Sequence, residues 1–120
     1  MRKLWQFKAR LVRCVDADTV ELILDLGFGL YYQEDFRLYG IDAPELHSDA
    51  GRAAKEWLEN YLEEDRDNLI AHVQKTPKTG KTKKGKYGRY IVTLYKEPKS
   101  DLKSVNDELV AIGHAIYKDY

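Results

Sequence analysis

The chain opens on an alternation. Trp5, Phe7, Ala9 and Leu11 are interleaved with Gln6, Lys8 and Arg10, the period-two pattern of a half-buried strand running to about Val15. A turn at Asp16-Ala17-Asp18 leads into a second strand, where Val20, Leu22 and Leu24 alternate with Thr19, Glu21 and Ile23. Gly27-Phe28-Gly29 closes a hairpin, and a third strand carries Tyr32, Phe36 and Leu38. The period then changes. Ala50, Ala53, Ala54, Trp57, Leu58, Tyr61 and Leu62 recur at helical spacing, with Lys55, Glu56, Glu59 and Glu63 off the stripe. Ser48 or Asp49 can cap that helix. Its Trp57 and Tyr61 are read as core rather than as a cofactor box. Leu69 to Val73 is a short apolar run and predicts a fourth strand; Tyr90 to Tyr95 predicts a fifth. Ser104 caps a last helix, with Asp107 at the capping-box position, Val105, Leu109 and Ile112 on its apolar side and Gly113 at its end. The tail from Tyr117 to Tyr120 is too short for another helix.

Three strands, a helix, two strands and a helix predict an α+β chain with a predominantly β core. The expected architecture is a five-stranded OB-type barrel with a helix between strands 3 and 4 and a C-terminal helix. No repeat or interdomain linker interrupts the chain, so residues 1–120 read as one domain. Hydrophobic content of 43% and charged content of 33% are those of a folded globular protein and exclude a disordered one.

Net charge is zero, but its distribution is uneven. From Asn68 to Lys96 there is no acidic residue, whereas Glu56 to Asp67 is densely acidic. Within that span Lys75 to Lys86 holds six lysines together with Pro77, Gly80 and Gly85, and reads as a mobile basic loop. Cys14 is the only cysteine, so no intramolecular disulfide can form. The N-terminal residues lack the apolar core of a signal peptide, and no run is long enough to span a membrane. The expectation is a cytoplasmic monomer that does not associate with membranes.

Candidate chemistry gathers at Phe36-Arg37-Leu38-Tyr39-Gly40-Ile41-Asp42-Ala43-Pro44-Glu45. Phe36 and Leu38 share one face of a strand, so Arg37 points to the other. Pro44 stiffens the turn and biases Ala43 toward an extended backbone. One guanidinium and two carboxylates therefore meet at a strand end. Arginine binds phosphate in bidentate fashion, and carboxylates hold a hard cation or activate water. Locally, the same residues also fit a surface ion pair. Asp16 and Asp18 add hard oxygen ligands or, equally, a side-chain-stabilised turn. Lys86-Tyr87-Gly88-Arg89 offers a second guanidinium and a phenol beside the lysines, or a solvated strand edge. His72 reads as a strand residue with a local partner rather than a metal ligand.

The ordered combination is more specific than any part. Asp-x-Asp-Thr-Val, Gly-Phe-Gly, Arg-Leu-x-Gly-Ile-Asp-x-Pro-Glu, Tyr-Gly-Arg and Val-Asn-x-x-Leu-Val-x-x-Gly-x-Ala, from about Asp16 to Ala115, resemble the thermonuclease family of staphylococcal-nuclease-like enzymes. That resemblance implies a Ca2+-dependent nuclease acting on DNA and RNA with little sequence specificity and leaving 3′-phosphate ends. It implies Asp18 and Asp42 as calcium ligands, with the backbone carbonyl of Ala43 as a further one. Arg37 and Arg89 match the phosphate-binding arginines, and Glu45 the carboxylate that orients or deprotonates the attacking water. Tyr87 matches a phosphate-contacting phenol, with Lys86, Lys83 and Lys84 beside it as substrate-binding candidates. Asp16 stands where the family has an acid behind the metal ligands, and Tyr117 is the candidate for a tyrosine lining the base pocket. Departures are Ala43 where threonine is common, Gly85 where an acid is usual, and a longer lysine loop.

Two other classes fit parts of the pattern. One is a catalytically silent OB-type nucleic-acid-binding module using a basic groove and aromatic platforms. The other is a protein-interaction domain built on the nine tyrosines. A pure binder has no use for Glu45, whose charge repels phosphate, and that residue favours the enzyme.

Overall fold

A computed structural model describes residues 5–74, 90–96 and 103–118. Strands β1 (Gln6–Asp16), β2 (Thr19–Gly27) and β3 (Leu30–Leu38) form an antiparallel meander. A two-residue strand β4 (Ile41–Asp42) precedes helix α1 (Asp49–Leu62). Strands β5 (Leu69–Val73) and β6 (Tyr90–Lys96), helix α2 (Val105–Ala111) and a second short strand β7 (Ile116–Tyr117) complete the chain. The five long strands close in the order β1-β2-β3-β6-β5. The β3–β6 pair is parallel, with Phe36 opposite Tyr90 and Leu38 opposite Val92. This is the OB-type arrangement that the strand count predicted, with α1 between the third and fourth barrel strands.

Period-two burial builds the interior. Val20, Leu22 and Leu24 from β2 meet Phe36 and Leu38 from β3 and Leu94 from β6, all of them buried. Each such side chain contributes roughly 1.5–3 kcal/mol by leaving water. In β1 the inward phase runs through Ala9 and Leu11, then shifts to Cys14. A register break between Leu11 and Arg13 causes the shift. Arg66 satisfies the break, donating to the carbonyls of Leu11 at 3.3 Å and Val12 at 3.0 Å. Trp5, expected as the first inward residue, instead lies outside the strand at φ 66° with its ring exposed.

The helices differ from expectation on their faces. Buried positions of α1 are Gly51, Ala54, Leu58 and Leu62, while Ala50 and Ala53 are exposed. A glycine carries no hydrophobic signal, so pattern reading placed the stripe one residue early. Trp57 and Tyr61 line its edge, stacked at 4.5 Å and only partly buried, with Lys96 Nζ 3.6 Å from the Tyr61 ring centre. In α2, Ser104 caps as expected, accepting from the Asp107 N–H at 3.0 Å. Ile112 is exposed, and the buried face is Val105, Asn106 and Leu109. Gly113 turns the chain at φ 87°, a conformation glycine adopts without strain. The tail then pairs as β7 with β4, placing Tyr117 opposite Ile41 and Ile116 opposite Asp42.

Candidate active site

The site is assembled from the β1–β2 turn, the end of β3 and the β4 segment. Asp18 lies in the turn, with its side chain only 7% exposed. Its Oδ2 accepts the Ala43 N–H at 3.0 Å, and its Oδ1 lies 3.3 Å from the Thr19 hydroxyl. The Asp16 carboxylate accepts the Asp18 backbone N–H at 3.1 Å, fixing the turn from behind. Arg37 projects from β3 on the face opposite Phe36 and Leu38. Its Nη2 lies 3.4 Å from Asp18 Oδ2 and 3.0 Å from Asp42 Oδ1. Both carboxylates thus converge on one guanidinium nitrogen.

Burial dominates the electrostatics here. It pushes the Asp18 carboxyl up from 3.8 to about 6, helped by neighbouring Asp16 and opposed by the Ala43 N–H and the Arg37 charge. An uncharged buried carboxyl is what desolvation favours where the compensating charge is incomplete. Asp42 is more open and has a second cation, Lys118 Nζ, 3.8 Å from its Oδ2.

Glu45 follows in a different setting. Its side chain is 79% exposed, with the His47 Nε2 3.1 Å from its Oε2. Its carbonyl is held by the Ser48 N–H at 3.0 Å and the Ser48 hydroxyl at 2.6 Å. Beside this turn runs a groove of about 240 Å³ between Asp42, Ala43 and Pro44 on one side and residues 113–116 on the other. Two larger hollows lie elsewhere: one on the outer face of β1–β3, and one apolar, lined by Trp5, Phe7 and Tyr32 among others.

The structure therefore brings Asp18, Arg37, Asp42 and Ala43 together and leaves Glu45 beside them on an exposed turn. Tyr117 sits on β7 next to the β4 segment, exposed, with its hydroxyl donating to Asp107 Oδ1 at 3.0 Å. That hydrogen bond is the first cause raising its phenol above the ordinary value. Arg89, Tyr87, Lys86, Lys83 and Lys84 lie outside the described residues.

Sequence reasoning missed three contributors. Lys118 reaches Asp42 only because β7 pairs with β4 and the Lys118 N–H donates to the Gly40 carbonyl at 2.8 Å. Asn106, in the first turn of α2, accepts from the Leu94 N–H at 3.0 Å and donates to the Tyr39 and Val92 carbonyls at 2.9 and 3.2 Å. It thereby ties α2 to β6 and to the turn that delivers Asp42. Gly51 is the third. A glycine inside a helix is less favourable than alanine, which signals a close approach.

The donor chemistry fits a hard cation. Asp18, Asp42 and the Ala43 carbonyl are oxygen ligands of the kind calcium takes. Among the described residues no group of three or more His, Cys, Asp and Glu could hold a metal, so water would supply much of the coordination. None of the described helices is long and apolar enough to cross a membrane.

The OB-type barrel carries an acidic and basic corner of Asp18, Asp42, Arg37 and Lys118. The family described as staphylococcal nuclease homologue matches residues 35–120, and the chain belongs to that family, which makes it a nuclease-like or nucleic-acid-binding module. The match begins within β3, so it takes in Arg37, Asp42 and Glu45 and leaves out Asp18. It is the fold that joins Asp18 to them, through the Ala43 hydrogen bond. No curated protein matches the chain.

Proposed function

We propose that this domain is a calcium-dependent nuclease that hydrolyses DNA and RNA with little sequence preference and leaves 3′-phosphate ends. The observation that carries the reading is the convergence of Asp18 and Asp42 on Arg37, with Glu45 on the adjoining exposed turn. A phosphodiester is anionic and repels hydroxide. The Arg37 guanidinium offers hydrogen bonds and charge to the phosphate oxygens, and gains as negative charge builds on them. Arg89 is assigned the same task from the Tyr-Gly-Arg match. Asp18, Asp42 and the Ala43 carbonyl would hold calcium, which when bound supplies further neutralisation of the phosphate. Glu45 holds a water opposite the leaving oxygen and takes a proton from it. The new P–O bond forms from that water, the P–O5′ bond breaks, and the 5′ oxygen takes a proton from solvent and leaves as an alcohol.

One observation favours the rival reading of a silent binding module: the sparse set of metal-ligating side chains among the described residues. Plasmid relaxation separates the two. Cleavage with calcium, none with chelator, and about 10²–10⁴-fold slower turnover in a folded Glu45→Gln variant are expected. Binding without relaxation in calcium would establish the silent module. Near-wild-type rates for Glu45→Gln would remove Glu45 from the reaction.

A further inference from the structure

The Glu45 side chain is 79% exposed, and the group it touches, His47 with Nε2 3.1 Å from its Oε2, is 81% exposed, so two solvent-facing side chains do not hold its direction by packing. Its placement has to come from the backbone. That backbone is fastened to α1 by a relay. The Gly51 N–H donates to Ser48 Oγ at 3.0 Å, and the Ser48 hydroxyl donates to the Glu45 carbonyl at 2.6 Å. The Ser48 N–H adds a second bond to the same carbonyl at 3.0 Å. Arg52 braces the next part of the turn, donating to the His47 carbonyl at 2.8 Å. The turn also lies directly on Gly51. A methyl group there would overlap the Glu45 carbonyl oxygen, stand 2.5 Å from its carbon and lie 2.9 Å from the Pro44 oxygen. These are backbone atoms, which cannot swing aside as a flexible side chain would. Gly51 has no left-handed backbone requirement, so close approach is the reason for glycine. Behind it, Ala54, Leu58 and Leu62 are fully buried and fix the helix to the barrel.

We infer that Gly51 and Ser48 are positioning residues for Glu45: the first turn of α1 is a cradle that sets where the carboxylate stands over the reacting phosphate. The inference rests on the nuclease reading for its kinetic consequences and on geometry alone for the cradle. Alanine is a better helix former than glycine, so a loss in Gly51→Ala would come from the displaced turn. A displacement of about 1 Å lowers turnover by about 10–10²-fold when the displaced group takes part in the chemistry.

The test compares Gly51→Ala in the wild-type and Glu45→Gln backgrounds, with Ser48→Ala and Ser48→Thr beside it. In the wild-type background kcat should fall about 10–10²-fold, with KM and calcium affinity changed less than about threefold. In the Glu45→Gln background the further loss should be under about threefold, because the group being positioned is already disabled. Ser48→Ala should repeat the pattern, and Ser48→Thr, which keeps the hydroxyl, should restore it. An equal loss in both backgrounds would overturn the inference. Should Gly51→Ala not fold, the serine pair decides the question in the same way. Amide chemical shifts give a readout independent of turnover: changes confined to residues 45–48 and the first turn of α1 support the cradle, and unchanged shifts at 45–48 overturn it. If the wild-type protein is inert in calcium, the nuclease reading falls, and these shifts still decide the cradle.

Discussion

The Asp18 corner and the Glu45 turn adjoin along the chain at Asp42 to Glu45, yet they are built on opposite terms. Asp18 and Arg37 are nearly buried, at 7% and 17% side-chain exposure, and are fixed by what they touch. Glu45 is mostly in water and is fixed through its carbonyl. The difference follows from the work each would do. Groups that hold a cation and a phosphate gain strength from a low-dielectric setting that keeps them in place. A carboxylate that handles water needs access to water. The two regions also have different anchors. The corner is tied to the barrel through Leu38, whose N–H donates to the Asp18 carbonyl at 2.8 Å, and through Asn106. The turn is tied to α1.

The comparison breaks most visibly at Arg37, the residue both carboxylates share. Arg37→Met should slow calcium-dependent cleavage by about 10³-fold or more, as expected when a charge-stabilising donor is removed. It should also destabilise the calcium-free fold by ~1–3 kcal/mol at neutral pH, since Asp18 then lacks its cation. Glu45→Gln, by contrast, should leave the urea midpoint unchanged. Single-turnover kinetics and urea titrations on both variants test the contrast; equal stability losses would erase it.

Next in size is the pH response of Asp18. Its carboxyl is raised to about 6 in the folded protein against 3.8 unfolded, chiefly by burial. Between those values the folded state keeps a proton that the unfolded state has released. Stability of the calcium-free protein therefore falls as pH rises through that window. The Asp18→Asn variant escapes this penalty, so it should exceed wild type by up to ~3 kcal/mol at about pH 7.5 and match it near about pH 4. Saturating calcium should reverse the order, because it stabilises only the protein that binds it. Urea unfolding at both pH values, with chelator and with calcium, measures all of this. A gap that does not close toward low pH would assign it to something other than the buried charge.

The smallest effect sharpens the edge between the regions. Lys118 stands beside Asp42 as an exposed cation, and exposed pairs are weak. Lys118→Met should tighten calcium binding by about two- to fivefold at low salt, and the gain should shrink as salt is added. Calorimetric titration measures it. Weaker binding in the variant would mean that Lys118 supports the site and does not compete for it.

How much of this was legible along the chain depends on the kind of interaction. Alternation in Val20, Leu22 and Leu24 located a strand because one face of a strand is buried at every second residue. The run Arg37 to Glu45 set Arg37 beside Asp42, with Glu45 following on an exposed turn, because a strand end and a proline turn leave the chain few other conformations. Ser48 and Ser104 were legible as caps because capping is a contact between near neighbours in sequence. These local rules are enough to determine the barrel's strand count, the helix between its third and fourth strands, and the candidates Asp18, Arg37, Asp42 and Glu45.

Tertiary structure decided what depends on contacts between distant segments. Hydrophobic periodicity cannot register Gly51, whose role comes from the backbone it lets approach. Asn106 leaves no periodic signal, and only packing against β6 makes it a staple for Tyr39 and Leu94. Lys118 joined Asp42 because two-residue strands, too short to leave a period, happen to pair. The Asp18 carboxyl near 6 is likewise a property of the closed barrel, since burial and not residue type moves it. Local chemistry names the groups; how they are charged and held depends on which distant backbone comes to lie against them.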